Sequence, residues 1–353
     1  MTTINSISGG KTSCMMSLEF PANVDLFALV EQQSSIYKPE SRWWKSEAQQ
    51  QAFAWVRQFR SGFWCTAEDD NTLICLHEVS KLLHSRSTHI NYGGDSCGLV
   101  ITAAGNFSGL TNPHGKKASL FDDFDTLISQ RNYLPNARKR LCTQFLKVEN
   151  IYHWCAWNYP SEHIQMRIGF RADEIERTIR LYFKQVPIKH RKPNPDYDLT
   201  TSFKRWRLPT YLVRWWEIFD VEDMVRQGIL IEKPTPFNVV CGIDYRTPEF
   251  PFIEHGITQS EVVRYWRGRY DRFPFPEISN CVGCFHHRVE QLQKQWTNPE
   301  NWGKMEWYAR EEERTGKLFG KNHSYREISK MPVQQAIDFN SSWTSCDSGG
   351  CTD

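Results

Sequence analysis

The sequence predicts an α/β protein built on a mostly parallel sheet. Two observations carry this. The first thirty residues read as strand, glycine turn, helix and strand, the opening of a βαβ unit whose crossover imposes parallel pairing. Further on, apolar runs of strand length recur between segments with helical spacing. A chain of 353 residues has room for two domains of about 150 residues, or for one large domain carrying insertions.

Thr2 to Ile7 is short and β-prone, Ser8-Gly9-Gly10 is the turn, Lys11 to Phe20 has helical composition, and Val24 to Val30 is an apolar run of strand length. Glu47 to Phe59 is polar with spaced apolar positions and predicts a helix. Phe63 to Thr66 predicts a strand, Thr72 to Leu83 a helix, and Leu99 to Ala103 is a short apolar run. Residues 104–118, rich in Gly, Asn and Pro, predict a loop. Ile164 to Gly169 predicts a later strand, followed by a helix from Ala172 to about Phe183.

Residues 184–236 break this rhythm with Pro187, Pro193, Pro195 and Pro209. Between Lys184 and Trp216 eight bases stand against two acids, with Trp206, Tyr211, Trp215 and Trp216 among them. Such a stretch suits a nucleic-acid surface, where bases neutralise phosphates and aromatics stack on nucleobases. It equally suits a helix that buries its aromatics under a solvated basic face. The expected organisation is a core over 1–183, a basic aromatic insertion over 184–236, the rest of the core over 237–340, and a cysteine-bearing tail over 341–353.

Forty-three Lys and Arg against forty-one Asp and Glu give a net charge of +2, which excludes a uniformly basic or acidic protein. Eleven cysteines, an odd number at uneven spacing, do not form a secreted disulfide framework. Met1 to Ser8 has neither a charged nor an apolar leader region, and no run of about 18 apolar residues occurs. The expectation is a cytoplasmic protein with no membrane association. Its cysteines are then buried thiols, metal ligands or reactive groups. Cys14, Cys65, Cys75, Cys97, Cys155 and Cys241 lie mostly in apolar-periodic stretches and read as core residues.

Ser8-Gly9-Gly10-Lys11-Thr12-Ser13 sits between a strand and a helix. Glycines let a backbone approach a phosphate, a helix N-terminus offers unpaired N–H groups, and Lys11 adds a point charge. A Walker A loop needs a Gly separated by four residues from the Gly-Lys pair, where this chain has Asn5. An ordinary βα turn also uses Gly and Ser.

This hexapeptide resembles the SGGxxS PP-loop of the adenine-nucleotide α-hydrolase-like superfamily. Four further blocks follow in the order of its phosphoadenosine phosphosulfate (PAPS) reductase branch. Arg140 to Lys147 (RLCTQFLK) is similar to R-x-C-T-x-x-L-K, and Gly169 to Glu174 with Arg177 is similar to G-x-R-x-x-E-x-x-R. Pro251 to Thr258 with Glu261 and Val262 resembles P-L-x-D-W-T-x-x-D-V, with Gly256 in place of Trp. Asn280-Cys281-Val282-Gly283-Cys284 resembles the late C-x-x-C. The blocks span residues 8–284. The resemblance implies a doubly wound, Rossmann-like PP-loop fold with helices on both faces, a helical insertion and a C-terminal metal-binding segment. Nucleotide (ATP, PAPS or adenylyl sulfate) would lie at the carboxyl ends of the strands. Ser8, Gly9, Gly10, Lys11, Thr12 and Ser13 would hold its phosphate or sulfate, with Arg171 and Arg177 beside them. Asp69 and Asp70 would face the nucleotide or a magnesium ion, or else be solvated turn carboxylates.

In adenylyl-sulfate reductases of this family a Cys-Cys pair and the late C-x-x-C hold a [4Fe–4S] cluster. Here Leu141-Cys142 replaces the pair, leaving Cys142, Cys281 and Cys284. Three thiolates leave one iron open to sulfide or substrate. Alternatively, His286 or His287 completes a Cys₃His zinc site, or Cys346 and Cys351 complete a Cys₄ site with Cys281 and Cys284; a site without metal is the remaining reading.

Two chemistries follow from the resemblance. In sulfonucleotide reduction a tail thiolate, Cys346 or Cys351, attacks the sulfonate sulfur, the nucleotide leaves, and a thiol donor such as thioredoxin releases sulfite from the resulting S-sulfocysteine. In sulfur transfer ATP adenylates an oxygen on tRNA or DNA, and sulfur from a donor such as a cysteine desulfurase displaces AMP. Lys11 and Arg171 would stabilise phosphate charge in either case. A protein that senses nucleotide without turnover is the reading from another class.

Overall fold

The computed structural model describes residues 2–32, 46–89, 98–136, 139–162, 164–174, 177, 246–278, 281–320 and 322–331. The basic insertion over 184–236, the tail with Cys346 and Cys351, and Cys97 and Cys241 lie outside the described residues.

Strand β1 (Thr2–Ile7), helix α1 (Lys11–Glu19) and strand β2 (Val24–Leu29) form the expected βαβ unit. All six residues of β2 are buried, as in a parallel strand covered on both faces. Helices α2 (Glu47–Phe59) and α3 (Asp70–His89) lead to β3 (Leu99–Ala103). Helix α4 (Phe124–Arg131), a π-helix (Cys142–Val148) and α5 (Glu149–Asn158) lead to β4 (Ile164–Ile168) and a 3₁₀ turn (Ala172–Glu174). After residue 245 come β5 (Arg246–Glu249), α6 (Pro251–Glu254), α7 (Gln259–Trp266), α8 (Val289–Thr297), α9 (Trp302–Thr315) and α10 (Tyr325–Ile328).

The sheet order is β3-β2-β1-β4-β5, and all four pairings are parallel. Sequence order therefore reverses between β1 and β4, which opens a crevice at the carboxyl ends of those strands. Strand alternation sends Phe27 and Leu29 to one core with α1, α2, α3 and α7, and Leu26 and Ala28 to another with Ile151 and Cys155 of α5. Helices thus cover both faces. A third core joins Val30, Ala67, α4 and Leu146 to Val282, α8, α9 and α10.

Two local expectations need correction. Phe63 to Thr66 is not a strand: Thr66 makes one isolated bridge to Glu31. Both edges of β2 are occupied by β1 and β3, so this segment crosses the end of β2 instead of lengthening the sheet. Helix α3 begins at Asp70 rather than Thr72, because the Asp69 carboxylate accepts from Asn71 N at 3.0 Å and supports an earlier first turn. After β4 the 3₁₀ turn and the helical Arg177 are described; the other residues of the expected helix to Phe183 lie outside the described residues.

Candidate functional site

Gly9 carries φ +78°, and a Cβ there would lie 2.3 Å from Thr72 Cγ2 on α3. Only glycine can turn the chain here while α3 packs against it. Gly10 is the N-cap of α1; it supplies no side-chain cap, and the first turn contains no acid. The leading N–H groups of α1 consequently keep their full donor capacity and the positive end of the helix dipole. The Ser13 hydroxyl pins the turn, accepting from Ser8 N at 3.1 Å and donating to the Gly10 carbonyl at 3.1 Å. Thr12 and Ser13 are buried. Lys11 Nζ lies 5.4 Å from the centre of the Tyr270 ring, and no described carboxylate pairs with it. The Lys11 carbonyl accepts from Trp266 Nε1 at 2.9 Å, fastening α7 to the turn.

The loop after β4 abuts this turn: a Cβ at Gly169 would sit 3.6 Å from the Ser13 backbone. Arg171 is buried. Its Nε and Nη2 donate to the Asp173 carboxylate at 3.2 and 3.4 Å, and Nη1 lies 3.3 Å from Glu174 Oε2 outside hydrogen-bond geometry. Glu174 also pairs with Arg177 at 2.8 Å, and Arg177 lies over Phe170. The G-x-R-x-x-E-x-x-R spacing thus builds an internal ion ladder, with Arg171 held at the crevice by its own loop. The later T-x-x-E-V block has a local explanation too. Glu261 accepts from Thr258 N at 2.7 Å and from its hydroxyl at 3.0 Å, capping α7.

Residues 66–70 lie between the glycine turn and the C-x-x-C turn. Ala67 N donates to Val30 O, and Val282 N donates to Ala67 O at 2.8 Å. Glu68 pairs with Lys147 of the π-helix at 2.7 Å, and Asp70 pairs with Lys304 of α9 at 2.7 Å, all four side chains buried. Lys304 also donates to the Glu68 carbonyl. Asp70 is therefore no solvated turn carboxylate. Asp69 accepts from Asn301, and burial pushes its carboxyl above the usual range.

The π-helix and the C-x-x-C turn bring Cys142, Cys281 and Cys284 to one cavity of about 20 Å³, which Val30, Arg140, His286 and Tyr308 also line. Gly283, at φ +69°, makes the turn; a Cβ there would meet the Tyr308 ring at 2.5 Å. Among the described residues His286 Nε2 is buried without a hydrogen-bond partner, and burial, then Arg140, lowers the imidazole pKa. This donor set suits a thiophilic ion. Among the described residues, no three His, Cys, Asp or Glu side chains yet converge on an ion-sized point. Cys14, Cys65, Cys75 and Cys155 are buried, and burial raises their thiols well out of the reactive range.

Sequence reasoning missed Gln32, just past the carboxyl end of β2. It is 0% exposed, and both ends of its carboxamide lack a partner among the described residues. No pattern marks it, since its burial comes from neighbours distant in sequence. Lys304 had a fainter signal, a lone base one turn before Tyr308 on an apolar helix face.

Comparison with protein-family models, curated proteins and solved structures found no match. Among the described residues, no helix is long and apolar enough to cross a membrane.

Proposed function

We propose that this chain is a PAPS reductase-like PP-loop enzyme that binds an adenine nucleotide at the glycine turn and carries out sulfur chemistry on it. The observation that carries this reading is the uncapped N-terminus of α1, entered through Gly9 at φ +78°, where strand order reverses. An anion there receives the N–H groups of α1 and the charge of Lys11. The unpartnered carboxamide of Gln32, at the same end of the sheet, supports a ligand with both donors and acceptors. As phosphate charge develops, the α1 N–H groups and Lys11 stabilise it without reorganisation, because Ser13 and Trp266 already hold the turn.

The thiols belong to the same reading. Cys142, Cys281 and Cys284 would hold a metal, with His286 as fourth ligand. A gap of about 20 Å³ is room for about one water-sized particle, so it favours a single zinc ion as it stands. A [4Fe–4S] cluster would require the 281–284 turn to move outward. Zinc would clamp the π-helix to that turn, whereas a cluster would add an open iron for sulfur.

Binding of ATP, PAPS and adenylyl sulfate, measured by calorimetry, tests the proposal. At least one should bind saturably, and Lys11→Ala should weaken it by about tenfold or more, a lost charge-assisted contact of about 1.5–3 kcal/mol. The nucleotide that binds separates sulfur transfer (ATP) from reduction (PAPS or adenylyl sulfate). No binding of any of the three would end this reading.

A further inference from the structure

We propose that the cavity between the C-x-x-C turn and α10 binds an uncharged nitrogen heterocycle of the nucleobase class, at a site separate from the glycine turn. The cavity measures about 480 Å³, within the range of small-molecule sites, about 300–1,000 Å³. Phe285 supplies a partly exposed ring, the buried Phe319 and Tyr325 rings close the floor behind it, and the exposed Asn322 and His323 supply hydrogen-bonding groups for a ligand's edge. No Lys, Arg, Asp or Glu is among the described lining residues, so a phosphate or ammonium ligand would gain no counter-charge. A purely aliphatic ligand would displace water from Asn322 and His323 and offer them nothing in return, at a cost of about 1–3 kcal/mol each. A neutral heteroaromatic ring satisfies both demands.

The cavity wall is built on the thiol-bearing turn. Tyr325 Oη donates to the Gly283 carbonyl, and His287 N donates to the Cys284 carbonyl at 2.9 Å. Phe285 lines both this cavity and the thiol cavity. A ring seated here therefore lies one side chain from Cys142, Cys281 and Cys284. The inference goes beyond nucleotide binding at the glycine turn and does not depend on it.

The test is calorimetric titration of the full chain with adenosine, guanosine, cytidine and uridine, with and without saturating ATP. Asn322 and His323 are exposed, so Asn322→Ala/His323→Ala should leave the fold intact; circular dichroism checks this. At least one nucleoside should bind saturably, the double variant should weaken it about tenfold or more, and neither Lys11→Ala nor ATP should affect it. The proposal is overturned if no nucleoside binds. Binding that ATP displaces, or that Lys11→Ala abolishes while the double variant keeps it, overturns it equally by placing the base at the glycine turn.

Discussion

Gly9 shows how much one residue can decide. Its positive φ and the 2.3 Å approach of a notional Cβ to Thr72 leave no space for a side chain. Gly9→Ala should cost about 1–3 kcal/mol and lower the urea midpoint without changing the slope; a midpoint unchanged within error would mean that α3 does not press on the turn. Asp25 is a second such residue. It sits within β2, and burial pushes its carboxyl up to about 6 against the opposing help of Asn5, Ser17 and Arg167. The folded pKa thus exceeds the unfolded value of about 3.9. Stability from this group is fully present below about pH 4 and is lost as pH rises through 6. Asp25→Asn should therefore stabilise the protein at pH 7, by on the order of 2–3 kcal/mol, and gain little at pH 4. Equal effects at the two pH values in urea titrations would contradict the assignment.

At the scale of elements, the sequence blocks separate into two kinds. The Thr258–Glu261 pair caps α7 and the Arg171–Glu174–Arg177 series ties its own loop, so local spacing accounts for both. Cys142 is different, because its meaning depends on the π-helix lying against a turn 140 residues away. In anaerobically purified protein, Cys142→Ala, Cys281→Ala and Cys284→Ala should each lose bound metal, whereas Cys14→Ala, in a sealed core, should keep it. Elemental analysis and the visible spectrum read the result: one zinc and no colour, or about four irons and broad absorption near 400 nm expected of a cluster. Full metal content in Cys142→Ala would remove that thiol from the ligand set.

Across the whole molecule, the 66–70 segment joins the two candidate sites. Lys304 reaches from α9 to Asp70 and the Glu68 carbonyl, while Lys147 reaches Glu68 from the π-helix. Removing one member of such a buried pair leaves the other charge stranded, at about 3–5 kcal/mol. Lys304→Ala should show this loss in urea denaturation, and the double variant Lys304→Met/Asp70→Asn should recover most of it. A loss below about 1 kcal/mol in Lys304→Ala would mean that Asp70 finds water in the variant.

The sequence by itself determined the βαβ opening, α2 and the strand beginning at Ile164, and marked 99–103 as an apolar run, because hydrophobic period and turn chemistry are local properties. It also marked the glycine turn and the Cys281-x-x-Cys284 pair, since both depend on short spacings, whereas Cys142 joined that pair only through the family resemblance. Strand β5 escaped it: Arg-Thr-Pro-Glu has little β character, and Pro248 is tolerated only because β5 is an edge strand. The tertiary structure alone decided that order reverses between β1 and β4, that Asp70 and Glu68 are buried against lysines, that Gln32 is sealed without partners, and that Cys142 meets the C-x-x-C turn. These depend on which distant surfaces meet as the helices cover the sheet. Burial and ion pairing are set there, and no local pattern encodes them.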